Sequence, residues 1–252
     1  MEKDLSMKKL VLLLLIATSI ASHAQQKESA STGLLKKAGS VLGKTKGGGS
    51  SLSNDEIIAG LKEALSVGAQ NSSSKLSSLD GFFANAAIKV LMPAEAKKVE
   101  TTLRNAGMGQ MVDDAILSMN RAAEEASKSA APIFIDAIKQ MGIQDALSIL
   151  RGTDTAATSY LKGRTLPALT NAFRPVIDEA LQKTGATKHW KTVFETYNKL
   201  PTTFKKINTD LSGYVTDKAL TGLFYQVAIE EQQIRKNPAA RVNDILKKVF
   251  GS

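Results

Sequence analysis

TDKALTGLFYQVAIEEQQIRK, residues 216–236, decides the fold class. Placed at 100° per residue, Leu220, Phe224, Val227 and Ile234 share one stripe, which is the periodicity of an amphipathic helix. Its hydroxyl makes Thr216 the expected N-cap of a helix running to Lys236. Glu231 falls inside the apolar stripe and Glu230 at its edge. A carboxylate on an apolar face must be paired or protonated, because an isolated buried charge is costly. Arg235, one turn on, is the nearest local partner, and Arg121 or Arg241 can arrive from other helices. Two readings of Glu231 stay open: a structural ion pair, or a ligand-binding acid in a pocket.

The flanking chain carries the same period. Ser53-Asn54-Asp55-Glu56 has capping-box spacing, and Ile57, Leu61, Ala64, Leu65 and Gly68 follow on one face. The polar stretch Asn71 to Ser74 is expected to end or fray that helix. Asp80-Gly81-Phe82-Phe83 reads as a turn whose aromatics fold back onto the core. Pro93 opens a helix with Val99 and Leu103, stopped by Gly107. Val112, Ile116, Met119, Ala123 and Ala126 line up on the next. Pro132 opens another, with Ile135, Ile138 and Met141, closed by Gly142. Short helices are expected over 146–150, 156–161 and 176–181, punctuated by Gly152, Gly163, Pro167, Pro175 and Gly185. Trp190, Val193, Phe194 and Tyr197 mark a helix ended by Pro201, and Pro238 begins a last one with Val242, Ile245, Leu246 and Val249. Only Ile88-Lys89-Val90 hints at period two. The expectation is an all-α fold: a single compact domain of about ten helices over residues 52–252.

Residues 1–24 read differently. Met7-Lys8-Lys9 is a charged start, Leu10 to Ile20 is apolar but short for a membrane span, and Ser22-His23-Ala24 supplies small residues for cleavage after Ala24. That is a signal peptide, so the protein is expected to be exported, periplasmic or secreted. Residues 25–51 read as a flexible basic linker: Gly47-Gly48-Gly49-Ser50-Ser51 is Gly/Ser-rich. Leu34, Leu35, Ala38, Val41 and Leu42 have helical spacing among lysines, consistent with a frayed helix or with weak contact to an anionic membrane surface. Ala38 to Thr45 nearly fits a nucleotide-binding P-loop, but alanine replaces its first glycine. No buried strand precedes it and a glycine linker follows, so the motif is rejected.

Composition removes whole classes of chemistry. The chain has 252 residues and no cysteine, which excludes disulfide scaffolds, thiolate metal sites and cysteine nucleophiles. It has two histidines, His23 and His189. A di-iron bundle needs Glu-x-x-His pairs, yet Ala186 stands three residues before His189. No serine sits in a Gly-x-Ser-x-Gly elbow, so a serine triad through His189 is not supported. No cofactor is expected. Lysine plus arginine number 33 against 24 aspartate plus glutamate; half of the surplus beyond residue 24 lies in residues 25–50. The remaining body is mildly basic, without the footprint of a nucleic-acid binder.

Polar residues on helix faces are the remaining candidates. Asp113, Asn120 and Glu124 fall on one stripe, with Arg121 in reach of Glu124 and Glu125. They form either a solvated flank or a polar patch lining a cleft. Thr153 or Asp154 is expected to cap the helix that begins nearby, with an anion site at that helix end as the alternative. The candidate binding residues are therefore Asn120, Arg121, Glu124, Glu231, Arg235 and Arg241.

Several longer motifs are recognisable together. Met119 to Glu124 reads MNRAAE, Pro132 to Phe134 PIF, Ile149 to Gly152 ILRG and Asp154 to Tyr160 DTAATSY. Tyr214 to Thr216 reads YVT, Ala219 to Phe224 ALTGLF, Ile234 to Arg241 IRKNPAAR and Val249 to Gly251 VFG. With Asp145-Ala146 and Glu230-Glu231, they make residues 52–251 resemble the uncharacterised bacterial family catalogued as domain of unknown function 4197. The resemblance implies an exported, all-helical protein and carries over no activity.

Two functions fit these expectations. The first is a non-enzymatic exported protein that binds an envelope component or small amphiphile in an interhelical cleft. The alternative is a carboxylate-dependent hydrolase of cell-envelope polymers using Glu231 or Glu124 with a second acid, which needs two carboxyl groups about 5–10 Å apart in an open cleft.

Overall fold

Ser53 starts the helical body with a closed capping box: its Oγ accepts from the Glu56 N–H at 3.2 Å, and the Glu56 carboxylate accepts from the Ser53 N–H at 2.9 Å. The computed structural model describes residues 53–198, 206, 210–237 and 247. The expected signal peptide, the expected linker with its P-loop-like stretch, Pro201, most of the helix expected from Pro238 and Arg241 lie outside the described residues. The elements are α1 (Asn54–Ser77), a 3-10 turn (Ala94–Ala96) running into α2 (Lys97–Asn105), α3 (Gly109–Ser127), α4 (Ala130–Lys139), α5 (Ile143–Arg151), α6 (Ala156–Lys183), α7 (Ala186–Asn198) and α8 (Leu211–Lys236). The fold is all-α, with no strand among the described residues. They form eight α-helices, six of them ten residues or longer, rather than about ten.

The difference in number comes from helices that run through their expected breakers. The two short helices expected over 156–161 and 176–181 are parts of the 28-residue α6, with Pro167 and Pro175 inside it. Each proline removes one backbone hydrogen bond and crowds the preceding turn, at about 3 kcal/mol in an isolated helix. Both lie on the exposed side, while Ala157, Leu161, Thr165, Leu169, Phe173, Ile177 and Leu181 form an unbroken buried stripe at four-residue spacing. Burial of that stripe outweighs the two breaks. Asn71 to Ser74 does not end α1 either. Ser72 and Ser73 are buried, and their hydroxyls donate to the Gly68 carbonyl and to the Ser127 carbonyl of α3.

Helix starts shift for similar reasons. Asp210, not Thr216, caps α8: its Oδ1 accepts from the Gly213 N–H at 2.8 Å. Thr216 lies inside the helix, buried, with its hydroxyl donating to the Ser212 carbonyl. Pro132 is the third residue of α4, a position whose nitrogen has no intrahelical acceptor, so the N–H that proline lacks costs the helix no bond. Gly107 ends the second helix as expected, at φ +80°.

Helix α6 packs against α8 and α3, and α1 closes the layer against α4 and α8. Phe82, Phe134, Phe173, Leu169 and Ile177 are fully buried, and Phe134 meets Phe224 edge-on at 5.8 Å. The Phe82 ring presses on Gly222 of α8 so closely that a Cβ there would stand 2.5 Å from a ring carbon. Among the described residues no helix is long and apolar enough to cross a membrane.

Candidate functional site

Helix α6 begins at Ala156 without a side-chain cap of its own: Thr155 occupies the N-cap position and makes no such bond. Thr153 and Asp154 do not cap it either. Asp154 is exposed and pairs with Lys236 at 2.7 Å, which holds its carboxyl below the ordinary range. The cap comes from α8. The Glu231 carboxylate accepts from the Ala157 N–H at 3.0 Å, the Thr158 N–H at 2.9 Å and the Thr158 hydroxyl at 2.8 Å. These amides are two of the four that a helix start leaves without an intrahelical acceptor. Arg235 donates twice to the same carboxylate, at 3.0 and 2.8 Å, and once to the Ile149 carbonyl at 2.8 Å. The Glu231–Arg235 pair thus joins three helices, with Glu231 at 5% exposure. The crevice beside it is about 20 Å³, room for about one water and no larger ligand.

A second brace holds the segment between α1 and α2. Glu124 of α3 is buried and accepts from the Phe82 and Phe83 N–H groups at 3.1 and 3.2 Å. Arg121 bridges Glu124 at 2.6 Å and Asp80 at 2.7 Å. The Glu124 bond, with a smaller contribution from Asp80, holds the guanidinium above its ordinary pKa against partial desolvation. Asp80 itself sits at φ 65°, so this brace secures a left-handed turn. One helical turn earlier the fully buried Asn120 amide accepts from the Val90 N–H at 2.9 Å and donates to the Val90 carbonyl at 2.8 Å. Ile88-Lys89-Val90 forms no strand; the Asn120 side chain supplies Val90 with the pairing a neighbouring strand would give. The expected stripe therefore divides, with Asp113 exposed and tied to Arg104 at 2.7 Å while Asn120 and Glu124 are sealed. They make neither a solvated flank nor the wall of a cleft.

The cleft lies elsewhere, between α3 and α7, and its volume is about 380 Å³. Met92, Met111, Met119, Trp190 and Phe194 give it an apolar, sulfur-rich wall, and Asp114 is the one charged residue lining it among the described residues. Trp190 and Phe194 are 4.5 Å apart between ring centroids, and Tyr214 stacks on Trp190 at 6.4 Å. Met111 stands 49% exposed at the mouth, whereas Met119 is buried in the floor. Of the six residues singled out in the sequence, the five described ones do not line it: Glu231 and Arg235 brace helices, Asn120, Arg121 and Glu124 hold the 80–90 segment, and Arg241 lies outside the described residues. The available signal was Met111 followed by Ala115, Ser118 and Met119 on the helix face, which periodicity alone assigns to the core. Among the described residues no group of three histidine, aspartate or glutamate side chains is placed to hold a metal ion.

A family model described as protein of unknown function (DUF4197) matches residues 51–251. The chain belongs to that family. No curated protein and no solved structure matches it.

Proposed function

We propose that this DUF4197 protein is an exported, non-enzymatic binding protein that takes the apolar part of a small amphiphile, or of an envelope component, into the cleft between α3 and α7. The carrying observation is the cleft itself: about 380 Å³ of mostly apolar space, within the size range of small-molecule sites, with methionines that re-pack around chains of different shape. Export rests on residues 7–24. The hydrolytic alternative loses its two acids to structure, since the Glu124 and Glu231 oxygens are held by backbone N–H groups and arginines.

Trp190 lines the cleft and is the chain's single tryptophan, so its fluorescence reports occupancy directly. Titration with n-decanol is expected to give a saturable change in Trp190 emission. Burying a ten-carbon chain offers roughly 8 kcal/mol before ordering costs, which leaves a Kd on the order of micromolar to millimolar. Ala115→Phe, which fills the cleft from α3, is expected to abolish that change while circular dichroism stays the same. No saturable change in the wild type, or an undiminished one in the variant, would overturn the proposal.

A further inference from the structure

A second cavity of about 450 Å³ adjoins the cleft, and Leu211 lines both. The two also divide consecutive residues of α7: Ala186 lines the apolar cleft and Thr187 the second cavity. The second is the more polar of the two. In the second cavity Arg174 pairs with Asp210 at 2.6 Å, and the Ser212 hydroxyl donates to Asp178 at 2.7 Å, so four hydrogen-bonding groups from α6 and the start of α8 are held in fixed orientation. Pro175, on the same wall, has no N–H to give the Asn171 carbonyl, and Asn171 also lines the cavity. The Thr187 hydroxyl is the one buried side-chain polar atom among the described residues without a hydrogen-bond partner. A buried polar atom left unpaired is uncommon and calls for a reason.

We infer that this cavity is a head-group site for a neutral polyhydroxylated group, a sugar, carried by the amphiphile whose chain occupies the adjoining cleft. The inference rests on the binding function proposed for that cleft. Asp178 and Asp210 against Arg174 disfavour a phosphate, because two carboxylates face the anion and the one guanidinium is already paired. An ammonium head, which the net charge of these three groups would attract, finds every oxygen of the two carboxylates already accepting: Asp178 from Ser212 and Gln182, Asp210 from the Gly213 N–H and Arg174. What suits the lining is a ligand that both donates and accepts at several closely spaced positions, as adjacent sugar hydroxyls do.

Four probes with one chain length separate the heads: n-decanol, n-decyl β-D-glucoside, decyl phosphate and decyltrimethylammonium, each below its micelle concentration and read by Trp190 fluorescence. The glucoside is expected to bind about tenfold tighter than decanol, the worth of one or two net hydrogen bonds. Arg174→Gln and Asp178→Asn should reduce the glucoside to the affinity of decanol and leave decanol unchanged. A glucoside no tighter than decanol, a preference for phosphate or ammonium, or variants without effect on the glucoside would each overturn the head-group site while the cleft stands. If decanol itself does not bind, the cleft function fails, and methyl β-D-glucoside tests the head site alone through the amide chemical shifts of Asn171, Thr187 and Ser212. Saturable shifts there support the sugar site, and their absence overturns it.

Discussion

Replacing Glu231 by alanine removes the acceptor of five hydrogen bonds at once, at a position 5% exposed. Two consequences overlap. The first turn of α6 loses the acceptor for the Ala157 and Thr158 amides, which for an ordinary N-cap costs about 0.5–2 kcal/mol. Arg235, its side chain 10% exposed, loses its buried carboxylate partner, and removing one member of a buried pair costs about 3–5 kcal/mol. Because both losses pass through one carboxylate they do not add, and the total is expected at about 3–5 kcal/mol. With a urea slope of about 2 kcal/mol per molar, the midpoint should fall by about 1.5–2.5 M. Glu125, exposed and paired with Lys128 on the surface, is the control: Glu125→Ala should shift stability by less than about 0.5 kcal/mol. Arg235→Met in the Glu231→Ala background removes the guanidinium that lost its carboxylate and should recover part of the loss. Urea titration followed by circular dichroism reads all three variants. Equal midpoints for Glu231→Ala and Glu125→Ala would refute the claim that α8 caps α6.

Two further outcomes follow from local geometry. Gly222→Ala places a Cβ 2.5 Å from the buried Phe82 ring and should lower stability by about 1–3 kcal/mol; a thermal midpoint equal to the wild type would mean the ring moves freely. Asp210→Ala removes the α8 cap and should cost about 1 kcal/mol at neutral pH. The Gly213 N–H first, and then Arg174, hold the Asp210 carboxyl below its ordinary range. Its stabilising contribution is therefore fully present above the unfolded-state pKa and is lost as pH falls through the lower folded one. The gap between wild type and variant should accordingly narrow as acid is added, and a gap that widens in acid would contradict the assignment.

What repeats at short range was legible in the sequence. Helical class follows from apolar spacing, the Ser53 capping box from four adjacent residues, and the turn at Asp80 from glycine beside two aromatics. The burial of Glu231 was also legible, because a carboxylate inside an apolar stripe has few stable fates, and Arg235 one turn away was its natural partner. Which helix that carboxylate caps was not legible: Ala157 and Thr158 lie more than seventy residues earlier, and no local rule links them to position 231. Tertiary structure alone carried α6 through Pro167 and Pro175, because a breaker is judged locally while the buried stripe that overrides it gains its stability from α3 and α8. Asn120 and Glu124 were found as polar residues beside an apolar face. Only the fold decided that they bind backbone groups of the 80–90 segment rather than a ligand. The cleft was hidden for a related reason. A methionine facing the core and a methionine facing an empty space have the same helical period, and the difference lies in whether another helix fills the space opposite.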